Sequence, residues 1–380
     1  MGVSVRRKEQ KMKKLGFGLM RLPQTDPEDW SSVDMDKTKA MIDRYMEEGF
    51  TYFDTAYVYH GGNSEKAFGE LVAKRYPRDS FTITTKMPVF MVKSAEDYER
   101  IFDEQLARCQ VDYFDYYFLH AMGRSVYGAV QEQKGFEFMV RKKAEGKIRH
   151  IGFSYHDDAD MLDRILTEHP ETELVQLQLN YIDWENESVQ SRKCYEVCVK
   201  HGVQVTVMEP LKGGALVRLP EAAENILKEA DPNAGNASWG IRFAASLDQV
   251  MVVLSGMSDL KQVEDNISYM KDFRPLTEGE RETIAKTVQI INDSIAIPCT
   301  ACRYCTAGCP KKIAIPEYFA LYNNQKQFGL LAGLATTYGN LTATHGKPQD
   351  CIGCKQCENH CPQHLPIVEN LKLVAEAFGM

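Results

Sequence analysis

Short apolar runs alternate with longer amphipathic stretches from Leu15 to about Leu254. The runs are rich in β-branched and aromatic residues, which is typical of strands, and the stretches repeat apolar positions at helical spacing. The strand candidates are Leu15–Met20, Thr51–Thr55, Ser80–Lys86, Phe114–His120, Ile148–Ser154, Leu174–Leu179, Val203–Met208 and Gln249–Ser255. The helical patterns are Asp34–Glu48, Ser64–Arg75, Ser94–Gln110, Ala129–Glu145, Asp157–Glu168, Ser188–His201, Ser238–Ser246 and Asp259–Met270.

Eight strands, each followed by a helix, are typical of a (β/α)8 barrel, which needs about 250 residues. The alternative is a doubly wound open sheet, but that fold favours a Gly-rich first turn, and the chain contains no G-x-G-x-x-G. We therefore predict an α/β TIM barrel with its catalytic groups at the C-terminal ends of the strands. The stretch from Glu209 to Asn236, after the seventh strand, is predicted to be a long functional loop.

In the last part of the chain, cysteine forms a repeated pattern. The string C-x-x-C-x-x-C-x-x-x-C-P occurs twice, first with Cys299, Cys302, Cys305 and Cys309, then with Cys351, Cys354, Cys357 and Cys361. A helical pattern leads into the first string, helical patterns fill much of the segment between the strings, and another follows the second string. We expect two domains, a barrel over residues 1–285 and a small, mainly helical domain over residues 286–380.

The cysteine spacing predicts two [4Fe–4S] clusters. Three thiolates two residues apart can bind three corners of a cubane cluster, and the fourth cysteine, set off by three residues and a proline, reaches the other cluster. The predicted ligand sets are Cys299, Cys302, Cys305 with Cys361, and Cys351, Cys354, Cys357 with Cys309. Structural zinc is the alternative, although zinc sites favour paired C-x-x-C motifs. A disulfide framework fits a long chain without a secretory signal poorly.

Composition narrows the function classes. Hydrophobic residues make up 44% and charged residues 26% of the 380, as in ordinary globular proteins. The net charge of −8 argues against a nucleic-acid partner. No apolar run is long enough to span a membrane and no signal peptide is recognisable, so we expect the reducing cytoplasm, where thiolates stay available for iron.

Polar residues follow three successive predicted strands, where a barrel places its catalytic groups. Asp54 ends the second strand and Tyr59 lies just beyond it, Lys86 ends the third strand, and His120 ends the fourth. Each residue alone has an ordinary explanation, such as the packing of a tyrosine or the solvation of a lysine. Four such groups on three successive strand ends predict a catalytic site.

These four groups can transfer a proton. Asp54 can pair with Lys86, and the positive charge of Lys86 near Tyr59 is expected to lower the pKa of the tyrosine from about 10 towards the range of a general acid. His120 can hydrogen-bond the same substrate oxygen and favour negative charge on it. Such a site would reduce a carbonyl, with a hydride added to carbon and the proton of Tyr59 given to oxygen.

The motifs around these residues resemble the aldo-keto reductase family over roughly residues 15–270. In the family's order the chain has L-G-F-G-L-M-R-L, G-F-T-Y-F-D-T-A-Y-V-Y with G-N-S-E, G-K-I-R-H-I-G-F-S, V-Q-L-Q-L-N-Y and S-G-M-S-D-L-K-Q-V-E-D-N. The catalytic tetrad of the family is complete. With its cysteine strings the chain resembles the branch that has a ferredoxin-like C-terminal extension, and the segment between the strings resembles the helical ferredoxin module of respiratory dehydrogenase iron–sulfur subunits.

The resemblance implies NADP(H) or NAD(H), bound without a Rossmann fold. The implied cofactor contacts are Gly18, Met20, Asp54, Ser154, Gln176, Met208, Glu209, Pro210, Leu211, Ser255, Gly256, Ser258, Gln262, Asp265 and Asn266. Ser154 and Gln176 would hold the carboxamide, and Glu209 would repel a phosphate unless its carboxylate points away. Many members have an arginine for the 2′-phosphate where this chain has Gln262, so the choice between NADPH and NADH stays open.

We therefore expect an oxidoreductase of the EC 1.1.1 type that reduces an aldehyde or ketone, or oxidises an alcohol in reverse. Hydride carries two electrons whereas an iron–sulfur cluster passes one, and no flavin motif is visible. The clusters would therefore serve either structure or electron transfer. Two alternatives remain: a redox relay that exchanges electrons with a ferredoxin-like partner, and a cofactor-sensing regulatory protein.

Overall fold

The computed structural model describes residues 12–186, 189–299, 301, 303–329, 332–361 and 363–378. Eight parallel strands close into a barrel in sequence order, and the first strand pairs with both the second and the eighth. The strands are β1 (Leu15–Gly18), β2 (Tyr52–Asp54), β3 (Thr82–Met87), β4 (Phe114–Met122), β5 (Ile148–Tyr155), β6 (Leu174–Gln178), β7 (Gln204–Met208) and β8 (Val250–Ser255). The predicted TIM barrel and the eight predicted strand positions are confirmed, with small differences at the strand ends.

Helices connect the strands and make up most of the C-terminal region. They are α1 (Met35–Glu47), α2 (Asn63–Phe68), α3 (Ala95–Cys109), α4 (Arg124–Glu132), α5 (Gly135–Ala144), α6 (Ala159–Glu168), α7 (Ser191–His201), α8 (Glu221–Ala230), α9 (Asn236–Ala245), α10 (Leu260–Met270), α11 (Glu278–Asp293), α12 (Tyr304–Ala307), α13 (Ile315–Phe328), α14 (Ala332–Thr344), α15 (Gln356–Asn359) and α16 (Ile367–Phe378). In the described ranges, no helix combines the length and the apolar character that crossing a membrane requires.

The chain divides into two compact units. The first comprises the chain up to Pro210 together with Ala237–Leu276, and the second comprises Leu211–Asn236 and the chain from Thr277 onward. The sequence-based division at residues 285 and 286 stays a prediction.

Two local expectations need correction. The stretch after β7 is not only a loop, because it contains a 3₁₀ turn over Lys212–Val217 and the helix α8. The pattern predicted as one helix over Ala129–Glu145 forms α4 and α5, because Lys134 takes a left-handed φ of 61° that interrupts it.

Tightly packed side chains fill the barrel interior beneath the ends of β2 and β3. A Cβ at Gly16 would lie 2.6 Å from Val252 Cγ1 and 3.0 Å from Tyr52 Cδ1, so only hydrogen fits there. Thr84 Oγ1 donates to Tyr52 Oη at 2.6 Å. Side chains two positions apart in a strand point to the same face, so Tyr52 and Thr84 lie one layer below Asp54 and Lys86 in the barrel interior. Asp54 and Lys86 form the base of the candidate site.

The second unit has its own apolar core. Its buried members include Phe319 of α13 and Leu371 and Val374 of α16, and these residues lie in one cluster with Cys305 and Cys357. Cys305 and Cys357, one from each cysteine string, are therefore buried among the apolar side chains that hold this unit together.

Candidate functional site

The four residues of the predicted tetrad lie at the C-terminal ends of β2, β3 and β4. Asp54 is the last residue of β2, and Tyr59 begins a 3₁₀ turn just beyond it. Lys86 precedes the final residue of β3, and His120 lies two positions before the end of β4. The closed parallel barrel brings these strand ends to one rim, so the sequence separation of 66 positions between Asp54 and His120 disappears in space.

Lys86 and Asp54 form a buried ion pair. Lys86 Nζ donates to Asp54 Oδ1 at 2.6 Å and to the Thr55 carbonyl oxygen at 2.8 Å, and the two charged side chains are 0% and 5% exposed. Gln176 Nε2 donates to the other Asp54 oxygen at 3.0 Å. Burial favours the neutral lysine and is the largest single effect on its pKa, but Asp54 and Tyr59 together outweigh it, and the net pKa of Lys86 is raised. The ammonium form is therefore held in place by its partners.

Tyr59 lies against this ion pair. Lys86 Nζ is 5.0 Å from the centre of the Tyr59 ring. Burial of the phenol raises the pKa of Tyr59, and the negative charge of Asp54 raises it further. The charge of Lys86 lowers the pKa of Tyr59, but by less than burial raises it. The expected net lowering of this pKa is therefore wrong, because it took account of the lysine charge and not of the burial of the phenol.

His120 completes the group as a neutral imidazole. Its ring meets the Tyr59 ring edge to face, with the centroids 5.8 Å apart. Burial, followed by the charge of Lys86 and by His156, lowers the pKa of His120 to about 3. Within the described part of the chain, no hydrogen-bond partner reaches its buried Nδ1. A neutral ring can donate one hydrogen bond to a substrate oxygen while adding no positive charge.

Two of the predicted cofactor contacts lie beside the tetrad. Ser154 and Gln176 are opposite each other in the β5–β6 register, and both are buried. Ser154 Oγ accepts from the Ala121 N–H at 2.8 Å, which leaves its hydroxyl hydrogen to donate. The Gln176 amide nitrogen is bound to Asp54, so its carbonyl oxygen remains the acceptor. This pair of donor and acceptor fits a nicotinamide carboxamide.

A second group of the predicted cofactor contacts follows β1 and β7. Gly18 lies opposite Asp54 in the β1–β2 register, and Met20 is exposed in the turn after it. Met208 ends β7, and the Glu209 carboxylate after it is 3.9 Å from Arg21 Nη2. The repulsion expected of Glu209 is therefore partly offset by a neighbouring arginine. Pro210 is buried beside Glu209, and the contact predicted for Leu211, which belongs to the second unit, stays a prediction.

The remaining predicted cofactor contacts lie at the end of β8, just after it and on α10. Gln262 Oε1 accepts from the Ser258 N–H at 2.8 Å, and Asn266 Nδ2 donates to Ser255 Oγ at 2.7 Å. Gly256 lies between these contacts, and burial raises the pKa of Asp265. The structure brings these residues together, but the side chains of Gln262 and Asn266 are already hydrogen-bonded to Ser258 and Ser255.

One aromatic ring and one imidazole, neither of them among the predicted catalytic or cofactor contacts, lie at the mouth of the site. The Phe90 ring is 52% exposed and lies 5.7 Å from the His120 ring. His156 directly follows β5, and part of its side chain is exposed. Burial of the rest of the imidazole, followed by the charge of Lys86, lowers its pKa. Both residues belong to loops that follow strand ends, from which the sequence predicts that the substrate pocket is built.

The cysteines of the second unit line two separate pockets. Cys299, Cys305 and Cys361 line one of them, and Cys309, Cys351, Cys354 and Cys357 line the other. Cys302, the remaining predicted ligand, lies outside the described residues. Each pocket thus combines cysteines of one string with the last cysteine of the other, which is the donor set that the spacing predicts for a cubane cluster.

A single metal ion needs closer ligands than a cluster does. Among the described residues, no three His, Cys, Asp or Glu side chains lie close enough together to hold one ion. A cubane spreads four thiolates over four iron atoms, so its cysteines stand further apart.

Two family models match the chain, one for each region described above. The model of the aldo/keto reductase family matches residues 14–289, and the model of a 4Fe-4S dicluster domain matches residues 298–365.

Curated relatives and solved structures match the barrel region. L-galactose dehydrogenase of Arabidopsis thaliana is 27% identical over 308 residues, which cover 74% of this chain and 91% of the relative. The 9,11-endoperoxide prostaglandin H2 reductase of Trypanosoma cruzi is 26% identical over 269 residues, covering 70% and 87%. The holo form of an aldo-keto reductase from Bacillus halodurans has a TM-score of 0.58 at 24% identity, covering 72% of this chain and 91% of that one. An aldo-keto reductase from Klebsiella pneumoniae in complex with NADPH has a TM-score of 0.58 at 20% identity, covering 72% and 90%.

Proposed function

The chain belongs to the aldo/keto reductase family, and we propose on that premise that it reduces an aldehyde or ketone with NAD(P)H, with Tyr59 as the proton donor. The observation that carries this proposal is the buried ion pair of Lys86 and Asp54 at 2.6 Å, with Lys86 Nζ 5.0 Å from the centre of the Tyr59 ring. A lysine with no exposed surface has no role in solubility. Its charge is therefore available to act on the tyrosine.

The side chains divide the work on the carbonyl oxygen. Ser154 and Gln176 would hold the carboxamide of a nicotinamide cofactor, which would supply the hydride for the carbonyl carbon. Tyr59 Oη gives its proton to the oxygen as negative charge develops there, and Lys86 Nζ stabilises the tyrosinate that remains. Neutral His120 donates a hydrogen bond to the same oxygen. Asp54 keeps Lys86 charged and, through Gln176, connects the proton donor with the carboxamide contacts.

The raised pKa of Tyr59 favours the reductive direction. A phenol whose pKa lies above 10 is protonated at neutral pH and can donate at once. Alcohol oxidation needs the phenolate, so it should require a higher pH than reduction.

For the second unit we propose two [4Fe–4S] clusters, one held by Cys299, Cys302, Cys305 and Cys361 and the other by Cys309, Cys351, Cys354 and Cys357. When bound, such clusters supply one-electron chemistry. A redox relay with a ferredoxin-type partner is the second candidate function. It is favoured by the exposure of Cys354 and of Ile352 beside it, which brings that cluster site to the surface. The cysteine content further suggests a reducing compartment such as the cytoplasm.

A carbonyl panel with NADPH and NADH tests the first function. Tyr59→Phe should lower kcat about 10²–10⁴-fold, because general acid catalysis contributes that much. Tyr76→Phe is the matched control, since Tyr76 Oη donates to Asp43 at 2.6 Å near the start of β3, away from the tetrad. An undiminished rate in Tyr59→Phe would sink the assignment.

Anaerobic mixing with NAD(P)H, followed by EPR, tests the relay. A reduced-cluster signal would support it. Clusters that dithionite reduces but NAD(P)H does not would leave the barrel as a carbonyl reductase in its own right.

A further inference from the structure

One fully buried carboxylate near the site has no part in the mechanism above. Glu65 lies on α2 with no exposed surface, and burial raises its pKa. Its Oε1 accepts from Thr85 Oγ1 at 2.7 Å and from Gln105 Nε2 at 2.8 Å, and its Oε2 lies 3.4 Å from Arg108 Nη1. A carboxylate buried at this depth destabilises the protein unless its partners are well placed, so the arrangement around it is informative.

The Oε1 side of Glu65 leads to Lys86. Thr85 is the neighbour of Lys86 in β3, and Gln105 Nε2 also contacts the Lys86 carbonyl oxygen at 3.1 Å. Tyr117 Oη donates to Gln105 Oε1 at 2.5 Å and fixes the orientation of that amide. The backbone that carries the lysine is therefore held by hydrogen bonds that converge on one carboxylate oxygen.

The Oε2 side of Glu65 leads to the turn that carries Tyr59. Arg108 Nη1 donates to the Tyr57 carbonyl oxygen at 3.3 Å as well as to Glu65, and its guanidinium stacks on the Tyr57 ring at 4.1 Å. Tyr57 Oη in turn donates to Glu104 Oε2 at 2.7 Å. Tyr57 lies two residues before Tyr59, so the arginine sets the position of the turn from which the proton donor projects.

Glycine allows this contact to be short. A Cβ at Gly62, where φ is +92°, would lie 2.9 Å from Arg108 Nη1, and a Cβ at Gly69 would lie 2.5 Å from the Arg108 carbonyl oxygen. The turn and the helix after it can approach α3 only because both positions lack a side chain. Chain geometry and hydrogen bonding thus favour the same close approach.

We propose that Glu65 is a positioning residue, which through Gln105 and Arg108 fixes Lys86 and the Tyr59 turn relative to each other. This inference rests on the proposed function. Catalysis by a proton donor depends on geometry, and a displacement of about 1 Å can lower a rate 10²-fold. Glu65 contacts neither of the two side chains whose separation it sets.

Glu65→Gln separates the two sides of this residue. The amide oxygen can still accept from Thr85 and Gln105, whereas the amide nitrogen turns a second donor towards Arg108. With NADPH and 4-nitrobenzaldehyde we expect kcat to fall about 10-fold, with KM and the cofactor Kd changed less than about 2-fold. The alkaline limb of the kcat profile should move to higher pH, because a tyrosine displaced from Lys86 loses the charge that lowers its pKa while Asp54 and Glu209 still raise it.

Arg108→Met removes the other partner of the Glu65–Arg108 contact and should lower kcat and shift its pH profile as Glu65→Gln does. Arg108→Lys should recover part of the lost kcat. The double variant Glu65→Gln/Arg108→Met should be no slower than about the slower single variant, since both remove one contact. Asp115→Asn is the matched control, a buried carboxylate at the start of β4 that accepts from Arg78 Nη2 at 2.7 Å and from Arg149 Nη1 at 3.1 Å. It should lower the thermal midpoint without moving kcat or its pH profile.

The outcomes separate the inference from the function on which it rests. If Tyr59→Phe abolishes turnover while folded Glu65→Gln and Arg108→Met keep the wild-type kcat and pH profile, the inference is overturned and the reductase function stands. If Asp115→Asn lowers kcat as much as Glu65→Gln at equal loss of thermal midpoint, positioning is also refuted, because general loss of stability then explains the effect. If Tyr59→Phe retains full activity, the function itself fails.

Discussion

Replacing Lys86 by methionine tests the buried ion pair directly. Methionine retains most of the lysine's apolar volume but cannot donate to Asp54 Oδ1 or to the Thr55 carbonyl oxygen. Asp54 would remain a buried carboxylate with Gln176 Nε2, at 3.0 Å, as its remaining side-chain donor. Removing one partner of a buried pair costs about 3–5 kcal/mol, because the other charge is left uncompensated.

Urea unfolding followed by tryptophan fluorescence measures this loss in the barrel unit alone. All three tryptophans of the chain, Trp30, Trp184 and Trp239, belong to the first unit. With a slope of about 3 kcal/mol per molar urea, the midpoint of Lys86→Met should fall by roughly 1–2 M. Turnover should fall about 10²–10⁴-fold, because the tyrosinate loses its stabilising charge.

The double variant Asp54→Asn/Lys86→Met is the control that separates stability from chemistry. It removes both charges, so it should recover more than half of the lost stability while turnover stays low. An unchanged midpoint in Lys86→Met would refute the reasoning, because it would mean that Asp54 is neutral or well solvated in the folded protein. Recovery of turnover in the double variant would refute the role given to Lys86.

Three further predictions follow from burial, from the cysteine pockets and from backbone geometry. The pKa of His120 is lowered to about 3 in the folded protein and is near 6.5 in the unfolded chain, so the folded protein should lose stability as the pH falls below 6.5. Between pH 7 and pH 5, wild type should lose up to about 2 kcal/mol of unfolding free energy relative to His120→Asn, measured by urea unfolding. Cys309→Ser should remove about half of the bound iron, and adding Cys351→Ser should remove no more, if both cysteines serve one cluster; iron assay and EPR decide this, and additive losses would contradict crossed ligation. Gly62→Ala should destabilise the barrel by about 1–3 kcal/mol, since the φ of Gly62 is +92° and a Cβ there would contact the Arg108 guanidinium. Gly128→Ala, at a position on α4 with no neighbouring atom in the way, should instead stabilise it by about 0.5–1 kcal/mol. Equal thermal midpoints for the two variants would show that the turn at Gly62 relaxes.

The sequence pattern predicted the barrel because its strands are buried on both faces, which gives short apolar runs, whereas its helices bury one face, which gives amphipathic stretches. It failed where tertiary contacts or single dihedral angles decide. The break between α4 and α5 depends on the left-handed conformation of Lys134, a residue type that gives no such signal. Helix α8 was missed because Gly, Ala and Pro around it indicated a loop, although it packs with α11 of the same unit.

The candidate site was predictable as a set of residues but not as a set of pKa values. Strand ends located Asp54, Lys86 and His120, since a parallel barrel gathers them at one rim. The direction of the Tyr59 pKa shift depends on how burial compares with the charge of Lys86, and burial is a property of the packed structure. For the same reason Glu65 carried no signal in the sequence beyond its place in G-N-S-E.

The placement of the cysteines bears on the role of the proposed clusters. Cys305, Cys357 and Cys361 belong to the apolar core of the second unit, together with Phe319 and Leu371. A cluster bound to these thiolates would neutralise buried charge and cross-link two distant parts of the chain, so its binding free energy would also be folding free energy. Loss of stability on iron removal is therefore expected whether or not electrons pass through the clusters. Only a change in cluster oxidation state on mixing with NAD(P)H, measured on the intact protein, separates a redox role from a structural one.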